Sequence, residues 1–401
     1  MSNVSSSNGI EKYPKLRFPE FKEPWTTTQL SNFFKKNIQK NSNGTITNVI
    51  SNSAKNGLIP QKEYFDKDIA NADNTSGYYI ISKNDFVYNP RKSSDAPYGP
   101  IRRYTYDEDG IVSPLYLCFR GDSSVNPEFF EKYFKSPVWH RYIYMSGDSG
   151  ARHDRVSIKD DTFFEMPINL PCNEEQNKIS SFLALVEQKI EAQTILVENL
   201  KIYKRGLINK IFSHSSSWIE YAISEVGTVI TGNTPSTNNA ENYIGNKLFC
   251  APGDLGQCKY ISKTEKNISE VALNSNRKIP KGSILVTCIG STIGKLGIAN
   301  EEMLTNQQIN SIIANSTHCN EFIYYALEYN FPRFLSHVGK QAVPILSKGQ
   351  FEDLSLLLPA IEEQKKYAMM FSLLDTKIEQ SIEVLNNLNC FKSSLLQQLF
   401  I

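Results

Sequence analysis

The stretch LPCNEEQNKISSFLALVEQKIEAQTILVENLKIYKRGLINKIF, residues 170–212, decides the fold of this chain. It aligns without a gap on LPAIEEQKKYAMMFSLLDTKIEQSIEVLNNLNCFKSSLLQQLF, residues 358–400. The segments outside these two copies are similar in length to each other but much less alike in sequence. The chain therefore alternates two repeated elements with two variable ones, a plan that suits the presentation of two different surfaces at a fixed separation.

Each copy carries apolar residues at alternating steps of three and four, the heptad pattern of a coiled-coil helix. The residues that we expect to pair are Ile179, Leu183, Val186, Ile190, Val197 and Leu200 in the first copy, and Phe371, Leu374, Ile378, Leu385 and Leu388 in the second. Polar residues interrupt the first seam at Gln193 and Lys204 and the second at Ser381 and Lys392. Because matched polar breaks fix register, we predict that the two helices pair with each other as an antiparallel coiled coil.

The start of each helix is marked by a proline, Pro171 or Pro359, which cannot lie inside a helix. Asn173 followed by Gln176 predicts an N-cap with its capping-box partner. A helix of about 38 residues would span roughly 57 Å, which equals about 17 base pairs of DNA. The length and the duplication favour a rigid spacer, while an ordinary helical hairpin that only stabilises the fold is the alternative.

The two variable segments predict α+β domains, because strand patterns alternate with turn signals and one aromatic-rich helix occurs in each. The predicted strands are Tyr78–Ser82, Asp85–Tyr88 and Leu115–Phe119 in the first segment, and Lys247–Ala251, Ser283–Ile289 and Ile309–Ala314 in the second. The predicted helices are Glu128–Arg141 and Asn320–Ser336. The fold class is thus α+β, with two similar α/β domains separated by the two long helices in an internal repeat of pseudo-two-fold symmetry.

The predicted organisation of the 401 residues has five parts. They are a Ser/Asn-rich tail (1–24), the first variable domain (25–165), the first helical spacer (166–212), the second variable domain (213–350) and the second helical spacer (351–401).

Bulk composition is that of a water-soluble globular protein, with 40 % hydrophobic and 21 % charged residues. The seven cysteines are scattered and form no CxxC pair, which predicts reduced thiols in a cytoplasmic protein without a zinc site. A net charge of +1 neither favours nor excludes nucleic acid, so any DNA-binding groups must be clustered locally or supplied by partners.

Basic and aromatic residues interleave in the first variable segment, which is typical of nucleic-acid contacts but also of a solvated charged surface. The DNA-binding candidates there are Arg91, Lys92, Arg102, Arg103, Tyr104, Arg141, Arg152, His153 and Arg155. Gly150, beside Arg152, would let the backbone approach a ligand closely. The candidates in the second variable segment are Arg277, Lys278, Thr292, Lys295, Lys340 and Gln341.

Motifs for catalysis are missing. The loop Gly290–Lys295 is one residue short of a phosphate-binding loop, and Leu296 stands where a magnesium-binding Ser or Thr belongs. No glycine-rich dinucleotide fingerprint and no paired histidine motif occur, so we predict no catalytic residue and no metal ligand in this chain.

The chain resembles the DNA-specificity subunit of type I restriction–modification enzymes. The resemblance rests on the repeated segments Leu170-Pro171 to Ile190 and Leu358-Pro359 to Ile378, and on the alternation of variable and repeated parts. Turns similar to those of the family occur at Asp85–Pro90, Ile293–Lys295 and Gln307-Gln308. The resemblance covers residues 13–401, with the variable segments matching weakly.

The resemblance implies a non-catalytic subunit with two target-recognition domains, each reading one half of a bipartite, asymmetric sequence in double-stranded DNA. The paired helices would set the spacer and dock two methyltransferase subunits, with restriction subunits in the full complex. S-adenosylmethionine, ATP and Mg are then expected on the partners and no cofactor in this chain. The alternatives are a coiled-coil scaffold whose variable domains bind proteins rather than DNA, and a fragmentary nuclease or methyltransferase.

Overall fold

The computed structural model describes residues 12–61, 75–147, 154–214, 217–337 and 345–401. The chain divides into two compact units, unit 1 (residues 1–194 and 384–401) and unit 2 (residues 195–383). Each unit thus contains one variable segment and parts of both repeated segments.

Unit 1 is built on an antiparallel four-stranded sheet in the order β2-β9-β6-β7, with the two-stranded pairs β1-β10, β3-β4 and β5-β8 around it. Its strands are β1 Thr26–Gln29, β2 Phe34–Lys36, β3 Ile50–Ser53, β4 Gly57–Pro60, β5 Tyr79–Ile81, β6 Phe86–Tyr88, β7 Ile101–Arg103, β8 Gly110–Val112, β9 Leu117–Gly121 and β10 Pro167–Leu170. The helices of its variable segment are α1 Pro127–Lys135, α2 His140–Ser146 and α3 Asp160–Phe164.

Unit 2 is built on a five-stranded sheet in the order β12-β19-β16-β17-β14, with the three-stranded sheet β15-β13-β18 and the pair β11-β20. Its strands are β11 Ile219–Ala222, β12 Gly227–Thr231, β13 Lys247–Cys250, β14 Tyr260–Ile261, β15 Lys266–Ile268, β16 Ile284–Thr287, β17 Leu296–Ala299, β18 Leu304–Thr305, β19 Ile309–Ala314 and β20 Ser355–Leu358. The helices of its variable segment are α5 Ile223–Val226, α6 Glu270–Asn274, α7 Asn320–His337 and α8 Lys348–Glu352.

The two variable segments share one core topology. The order β2-β9-β6-β7 in unit 1 corresponds to β12-β19-β16-β17 in unit 2, and all of these neighbours are antiparallel. In both units a helix, α1 or α7, follows the strand that lies second in this order. The prediction of two similar domains is therefore confirmed by the fold, although the sequences of the two segments differ.

The two long helices are α4, Asn173–Ser213, and α9, Ile361–Gln398. A two-stranded ribbon leads into each one: β10 pairs with β1 just before α4, and β20 pairs with β11 just before α9. Within unit 1 the first part of α4 packs against the last part of α9, and within unit 2 the last part of α4 packs against the first part of α9. The two helices therefore run antiparallel, as the heptad pattern predicted.

The seam residues expected to pair are all buried or half-buried, whereas many of their neighbours on the same helices are exposed. In unit 1, Ile179 and Leu183 share a core with Leu395 and Leu399. In unit 2 the core of the helix pair is formed by Ile208, Phe212, Ala368 and Phe371. Burial of this apolar seam stabilises helices of such length far more than intrinsic helix propensity does.

Two local predictions were wrong. The helix expected over Glu128–Arg141 is two helices. The first, α1, ends at Lys135 with Ser136 as its extended C-cap, because the ring of Pro137 disfavours helical backbone at the preceding residue. The capping box predicted at Asn173 does not have the expected geometry, because the main-chain N–H of Gln176 donates to the Cys172 carbonyl at 3.0 Å. The Nε2 of Gln176 donates to the Pro171 carbonyl at 3.0 Å and to the Oδ1 of Asn173 at 3.4 Å. The equivalent Gln364 donates to the Pro359 carbonyl at 2.8 Å, so both copies begin their helix in the same way.

Candidate nucleic-acid interface

The first candidate surface is formed by the loop that joins β6 to β7, which we name hairpin loop 1 (residues 89–100). Its start is held by main-chain hydrogen bonds to the segment 154–156: Lys92 donates to the Asp154 carbonyl at 2.9 Å and Val156 donates to the Pro90 carbonyl at 2.8 Å. Arg91 and Arg155 face each other in an isolated antiparallel bridge. The fold therefore brings together two basic clusters that lie about sixty positions apart in the sequence.

The side chains of Arg91 and Lys92 are exposed and form no ion pair or hydrogen bond within the described ranges. Arg155 is only weakly paired, with its Nε 3.9 Å from the Asp154 carboxylate. Burial raises the pKa of Tyr116, while the positive charges of Arg155 and Arg91 act in the opposite direction. Cations that are unpaired or only weakly paired can bind phosphate or the acceptor edge of guanine.

The equivalent loop in unit 2 joins β16 to β17 and is named hairpin loop 2 (residues 288–295). It is also tied to a later segment, since Leu346 donates to the Cys288 carbonyl at 2.8 Å and Ile289 bridges to Ile345. Gly294 has a φ of +89°, a conformation that favours glycine. Hairpin loop 2 leads into a strand, whereas a phosphate-binding loop opens a helix.

The correspondence extends to the chain that precedes the tied segments. Arg152 and His153 come just before Asp154, and Lys340 and Gln341 come before Ile345. These four candidates, with Gly150, lie outside the described residues. Their neighbours in sequence nonetheless meet hairpin loops 1 and 2 at topologically equivalent places.

Other predicted contacts in unit 1 are engaged inside the domain. Arg103 binds Glu128 at 2.7 Å and Glu131 at 2.8 Å, and Arg102 donates to the Ala54 carbonyl at 2.7 Å. Burial lowers the pKa of Arg102. Tyr104 is fully buried and its hydroxyl donates to the Glu108 carbonyl at 2.8 Å, so the DNA contact predicted for Tyr104 is wrong for this structure, because its ring belongs to the core. Arg141 is exposed on α2.

In unit 2, Arg277 is exposed and its guanidinium donates to the Thr231 carbonyl at 3.1 Å. Lys278 pairs with Glu302 at 3.3 Å. Thr292 and Lys295 are half-buried in hairpin loop 2, where the Lys295 amide donates to the Thr292 carbonyl at 3.1 Å. Arg277 is thus not placed beside hairpin loop 2 by any contact in the described part of the chain.

A polar cluster that the sequence pattern did not indicate lies next to these candidates. Thr234 donates to the Oε1 of Gln307 at 2.5 Å, and Asn233 accepts from the main chain of Arg277 at 3.2 Å. A Cβ placed on Gly290 would lie 3.6 Å from Nε2 of Gln308, so Gln308 borders hairpin loop 2. The Gln-Gln pair was visible in the sequence as a turn, but nothing there showed that it would meet Thr234.

Charged contacts also converge where each variable segment meets the long helices. We name the charged contacts in unit 1 junction 1. Glu187 of α4 binds Lys392 of α9 there at 2.8 Å. It also binds two lysines of α1, Lys132 at 2.5 Å and Lys135 at 3.2 Å. Burial by itself raises the pKa of Glu187, but these lysines outweigh it and lower the pKa to about 2.

The corresponding contacts in unit 2 form junction 2. Asp375 of α9 binds Lys204 of α4 at 2.7 Å and accepts a hydrogen bond from Tyr325 of α7 at 2.5 Å. Lys204 also binds Glu328 of α7 at 3.3 Å. The polar breaks at Lys204 and Lys392 in the heptad seams are therefore ion pairs between the two helices.

An apolar stripe lies on the solvent side of both long helices. Leu185, Leu196 and Tyr203 on α4 correspond in the repeat to Leu373, Val384 and Phe391 on α9, and between 42 % and 64 % of each residue is exposed. Steps of eleven and seven residues keep the three positions within about 20° of each other around a helix of 3.6 residues per turn. Exposed Lys189 and Lys377 flank the stripe at equivalent places.

The described residues contain no group of three or more His, Cys, Asp or Glu side chains that could hold a metal ion. No helix within them is long and apolar enough to span a membrane.

Comparison with known proteins agrees with this architecture. The family described as "Type I restriction modification DNA specificity domain" matches residues 215–389. The chain is 33 % identical over 183 residues to the type I restriction enzyme MjaIX specificity subunit of Methanocaldococcus jannaschii, an alignment that covers 44 % of this chain and 41 % of that protein. It is 33 % identical over 175 residues to the HindI specificity subunit of Haemophilus influenzae, covering 41 % of this chain and 37 % of that protein. The alignments thus span about two-fifths of these curated relatives.

Solved structures share the fold over nearly the whole chain. A chain from a structure described as the basis of complex assembly and conformational transition of the type I R-M system has a TM-score of 0.63 at 16 % identity, covering 94 % of this chain and 98 % of that one. The type I restriction–modification S subunit from M. genitalium has a TM-score of 0.58 at 17 % identity, covering 97 % of this chain and 99 % of that one.

The fold and its repeats define a class of protein that carries two versions of one α/β domain on a pair of antiparallel helices. Within that class, the chain resembles type I restriction–modification specificity subunits, and residues 215–389 match the family model of their DNA specificity domain.

Proposed function

We propose that this chain reads double-stranded DNA, and that each variable segment recognises one half of a bipartite, asymmetric target. The observation that carries the proposal is the equivalence of hairpin loops 1 and 2, each tied to a later segment at the same place in the shared topology. Binding groups are often carried on loops that a rigid scaffold positions. A domain repeated with its loop framework intact and its loop residues changed suits two reading heads for different sequences.

The chemistry of the two loops differs in the way that two half-sites require. The surface at hairpin loop 1 offers Arg91, Lys92 and Arg155, which can bind guanine or phosphate. The surface at hairpin loop 2 offers Thr292, Lys295 and the neighbouring Gln308, and a glutamine can read adenine through two hydrogen bonds. We therefore infer that residues 25–165 and 213–350 act as the two target-recognition domains.

The long helices, which lie in segments 166–212 and 351–401, serve as the spacer between the half-sites. A helix of 41 residues such as α4 is about 60 Å long at ~1.5 Å per residue. The exposed apolar stripe supports docking of two copies of one partner, because the same apolar and basic residues recur on both helices. Exposed apolar residues aligned on one face of a helix suit a protein–protein contact.

The partners in this proposal are two methyltransferase subunits, joined by restriction subunits in the full complex. S-adenosylmethionine, ATP and Mg would be bound by those partners, and this chain would contribute recognition without catalysis. The charge balance of +1 fits a subunit whose partners supply much of the attraction to the phosphate backbone.

A domain exchange tests the proposal. Residues 25–165 are replaced by the equivalent segment of a relative with a known target, and N6-methyladenine is mapped across the genome of cells that supply the methyltransferase partners. We expect one half of the methylated motif to change and the other half to persist. Replacement of residues 213–350 is the matched control and should change the opposite half.

Two outcomes would contradict separate reading heads: a change in both halves, or a change in neither. Complete absence of DNA affinity with all partners present would support the alternative of a scaffold that binds proteins. Methylation or cleavage by the purified chain alone would support an enzyme.

A further inference from the structure

Junctions 1 and 2 obey the internal repeat residue by residue. Glu187 and Asp375 occupy equivalent positions in the two copies, and so do Lys204 and Lys392. Each ion pair takes its acid from one copy and its lysine from the other: Glu187 with Lys392 at 2.8 Å, and Asp375 with Lys204 at 2.7 Å. The two ion pairs are therefore equivalent contacts, as expected when two copies of one repeat pair with each other in antiparallel orientation.

The third member of each junction comes from the variable segment. Lys132 and Lys135 are the sixth and ninth residues of α1, and Tyr325 and Glu328 are the sixth and ninth residues of α7, so the two pairs occupy corresponding positions. Lys132 and Tyr325 both bind the acid of the pair. Lys135 binds the acid as well, whereas Glu328 binds the lysine.

The chemistry of the pair explains how it accepts both helices. A carboxylate accepts from an ammonium or from a phenol, and the lysine beside it remains able to bind a carboxylate. Each pair therefore offers an acceptor and a donor side by side. A domain helix can satisfy the acceptor alone, as α1 does, or the acceptor and the donor together, as α7 does.

The pairs are partly shielded from water, with exposed side-chain fractions of 25 % and 28 % for Glu187 and Lys392, and 17 % and 13 % for Asp375 and Lys204. Partly desolvated, multiply bonded ion pairs restrict geometry more strongly than exposed ones, which contribute little. Both junctions lie where the first helix after the core sheet meets the long helices.

We propose that the two acid–lysine pairs are anchoring contacts that hold each recognition domain in one orientation on the long helices. Glu187 and Asp375 are then positioning residues that determine how strictly the complex selects one spacer length between its half-sites. The inference rests on the proposed function, because a spacer has meaning only if the two domains read two half-sites. It assigns two properties to different residues: the hairpin loops select the bases, and the acid–lysine pairs select the length of the spacer between the half-sites.

The test uses the chain assembled with its methyltransferase subunits and DNA duplexes that carry the mapped half-sites. The spacer in these duplexes has the native length, one base pair less or one base pair more, and initial methylation rates are compared. For Glu187→Gln and for Asp375→Asn we expect the preference for the native spacer to fall by about tenfold, or ~1.4 kcal/mol. Half-site preference should be unchanged, since the hairpin loops are untouched.

Glu191→Gln and Glu379→Gln are matched controls, because these residues are exposed, lie on the same helices and are themselves repeat equivalents. Both should retain the spacer preference of the unaltered chain. In Asp375→Asn, Lys204 keeps its contact with Glu328. In Glu187→Gln, Lys132 and Lys135 keep their contacts with Glu131, whereas Lys392 loses the carboxylate that it binds. Unfolding temperature and co-purification of the methyltransferase subunits show that each variant is folded and assembled.

An unaltered spacer preference in an assembled Asp375→Asn complex would overturn the anchoring role of the ion pair at junction 2. The same result with Glu187→Gln would overturn it at junction 1. Equal loss of rate on all three spacers would show that the pairs only stabilise the fold. Failure of the proposed function looks different, because the unaltered complex would then methylate no duplex that carries the two half-sites.

Discussion

Charged contacts from two helices converge on Glu187, since Lys132 and Lys135 of α1 and Lys392 of α9 share its carboxylate. A carboxylate in that setting stays ionised in the folded protein at pH values where a free one is protonated. The cost of its partial burial is outweighed only while the lysines remain close, so the charge of this residue is linked to folding.

The pH dependence of stability follows from that linkage. The pKa of Glu187 is lowered from 4.5 to about 2, so its contribution to the free energy of unfolding is present above pH 4.5 and is lost as the pH falls toward 2. We expect Glu187→Gln to lower stability near neutral pH by about 1–2 kcal/mol, after allowance for solvent screening of a partly exposed group. Denaturant titrations between pH 7 and pH 2 should show a shallower acid-induced loss in the variant. An identical slope would mean that Glu187 is not coupled to its lysines in solution.

The fold brings together the exposed Arg91 and the half-buried Arg155 at hairpin loop 1. We expect Arg91→Ala and Arg155→Ala in the assembled complex to weaken binding by about 1–3 kcal/mol each if they read bases, with relaxed specificity in one half-site. If they contact phosphate, affinity should fall for all sequences and the salt dependence should decrease by about one ion. Competition binding across a set of target variants at several salt concentrations distinguishes these results.

Lys83 provides the matched control for these two arginines. Lys83 precedes β6 and Arg91 follows it, so the two residues lie at opposite ends of this strand. Lys83 pairs there with the exposed Asp107. Lys83→Ala should leave both affinity and specificity unchanged. Unchanged binding in both arginine variants would remove hairpin loop 1 from the interface.

At the scale of elements, α4 and α9 have two faces with different roles, a buried seam and an exposed apolar stripe. We expect Leu185→Glu to weaken the docking of one methyltransferase subunit and Leu373→Glu to weaken the docking of the other, since a charge at the centre of an apolar contact is costly. Native mass measurement of the assembly should show complexes with one partner for each single variant and none for the double variant. Ile202→Glu is the control, because Ile202 is exposed on α4 but lies off the stripe. Full assembly by the double variant would exclude the stripe as the docking surface.

The length of the helices is a functional quantity if they measure the distance between half-sites. One heptad inserted after Gln193, with another after Ser381, adds about 10.5 Å at ~1.5 Å per residue, or roughly three base pairs. Both insertions fall near the points where the chain passes from one unit to the other, so junctions 1 and 2 each keep their partners. We expect a longer spacer in the methylated motif with unaltered half-sites. Rotation of the second half-site by about a tenth of a turn per base pair could reduce the gain to one or two pairs.

An active complex that methylates only the original spacing would show that other parts of the assembly measure the distance. A single insertion after Gln193 alone is the control for register. It shifts one seam against the other by a whole heptad and misaligns the ion pairs, so we expect it to destabilise the chain.

At the scale of the whole molecule, the repeat and the periodicity of the sequence were sufficient to predict the architecture. The heptad steps from Ile179 to Leu200 define a helix face, and faces are a property of local sequence. The similarity of the two variable segments was predictable only in outline, because β6 and β16 are short and their pairing with β9 and β19 is a long-range property. Polar breaks at Lys204 and Lys392 were visible, but their acidic partners lie on the opposite copy, and a linear pattern does not show which acid a lysine will meet.

The candidate site was predicted less completely than the fold. Arg91 and Arg155 were expected to bind DNA, yet their meeting in one bridge depends on tertiary structure. Local basic density could not distinguish them from Arg103, which is occupied by Glu128 and Glu131, or from Tyr104, whose ring is in the core. Composition shows that cations are present, and only the fold shows which of them remain unpaired.

Each of the two ion pairs contains one residue from each repeat, and this affects which recombination events the fold can tolerate. Since each pair draws one residue from either repeat, a crossover that replaces a single repeat with a divergent one disturbs both junctions at once. A crossover within the sequence that the repeats share, flanking a variable segment, leaves both pairs in place while it delivers a new reading surface. If the variable segments read DNA as proposed, a new target specificity can be acquired by exchange of one segment, while the paired repeats that receive it stay unchanged.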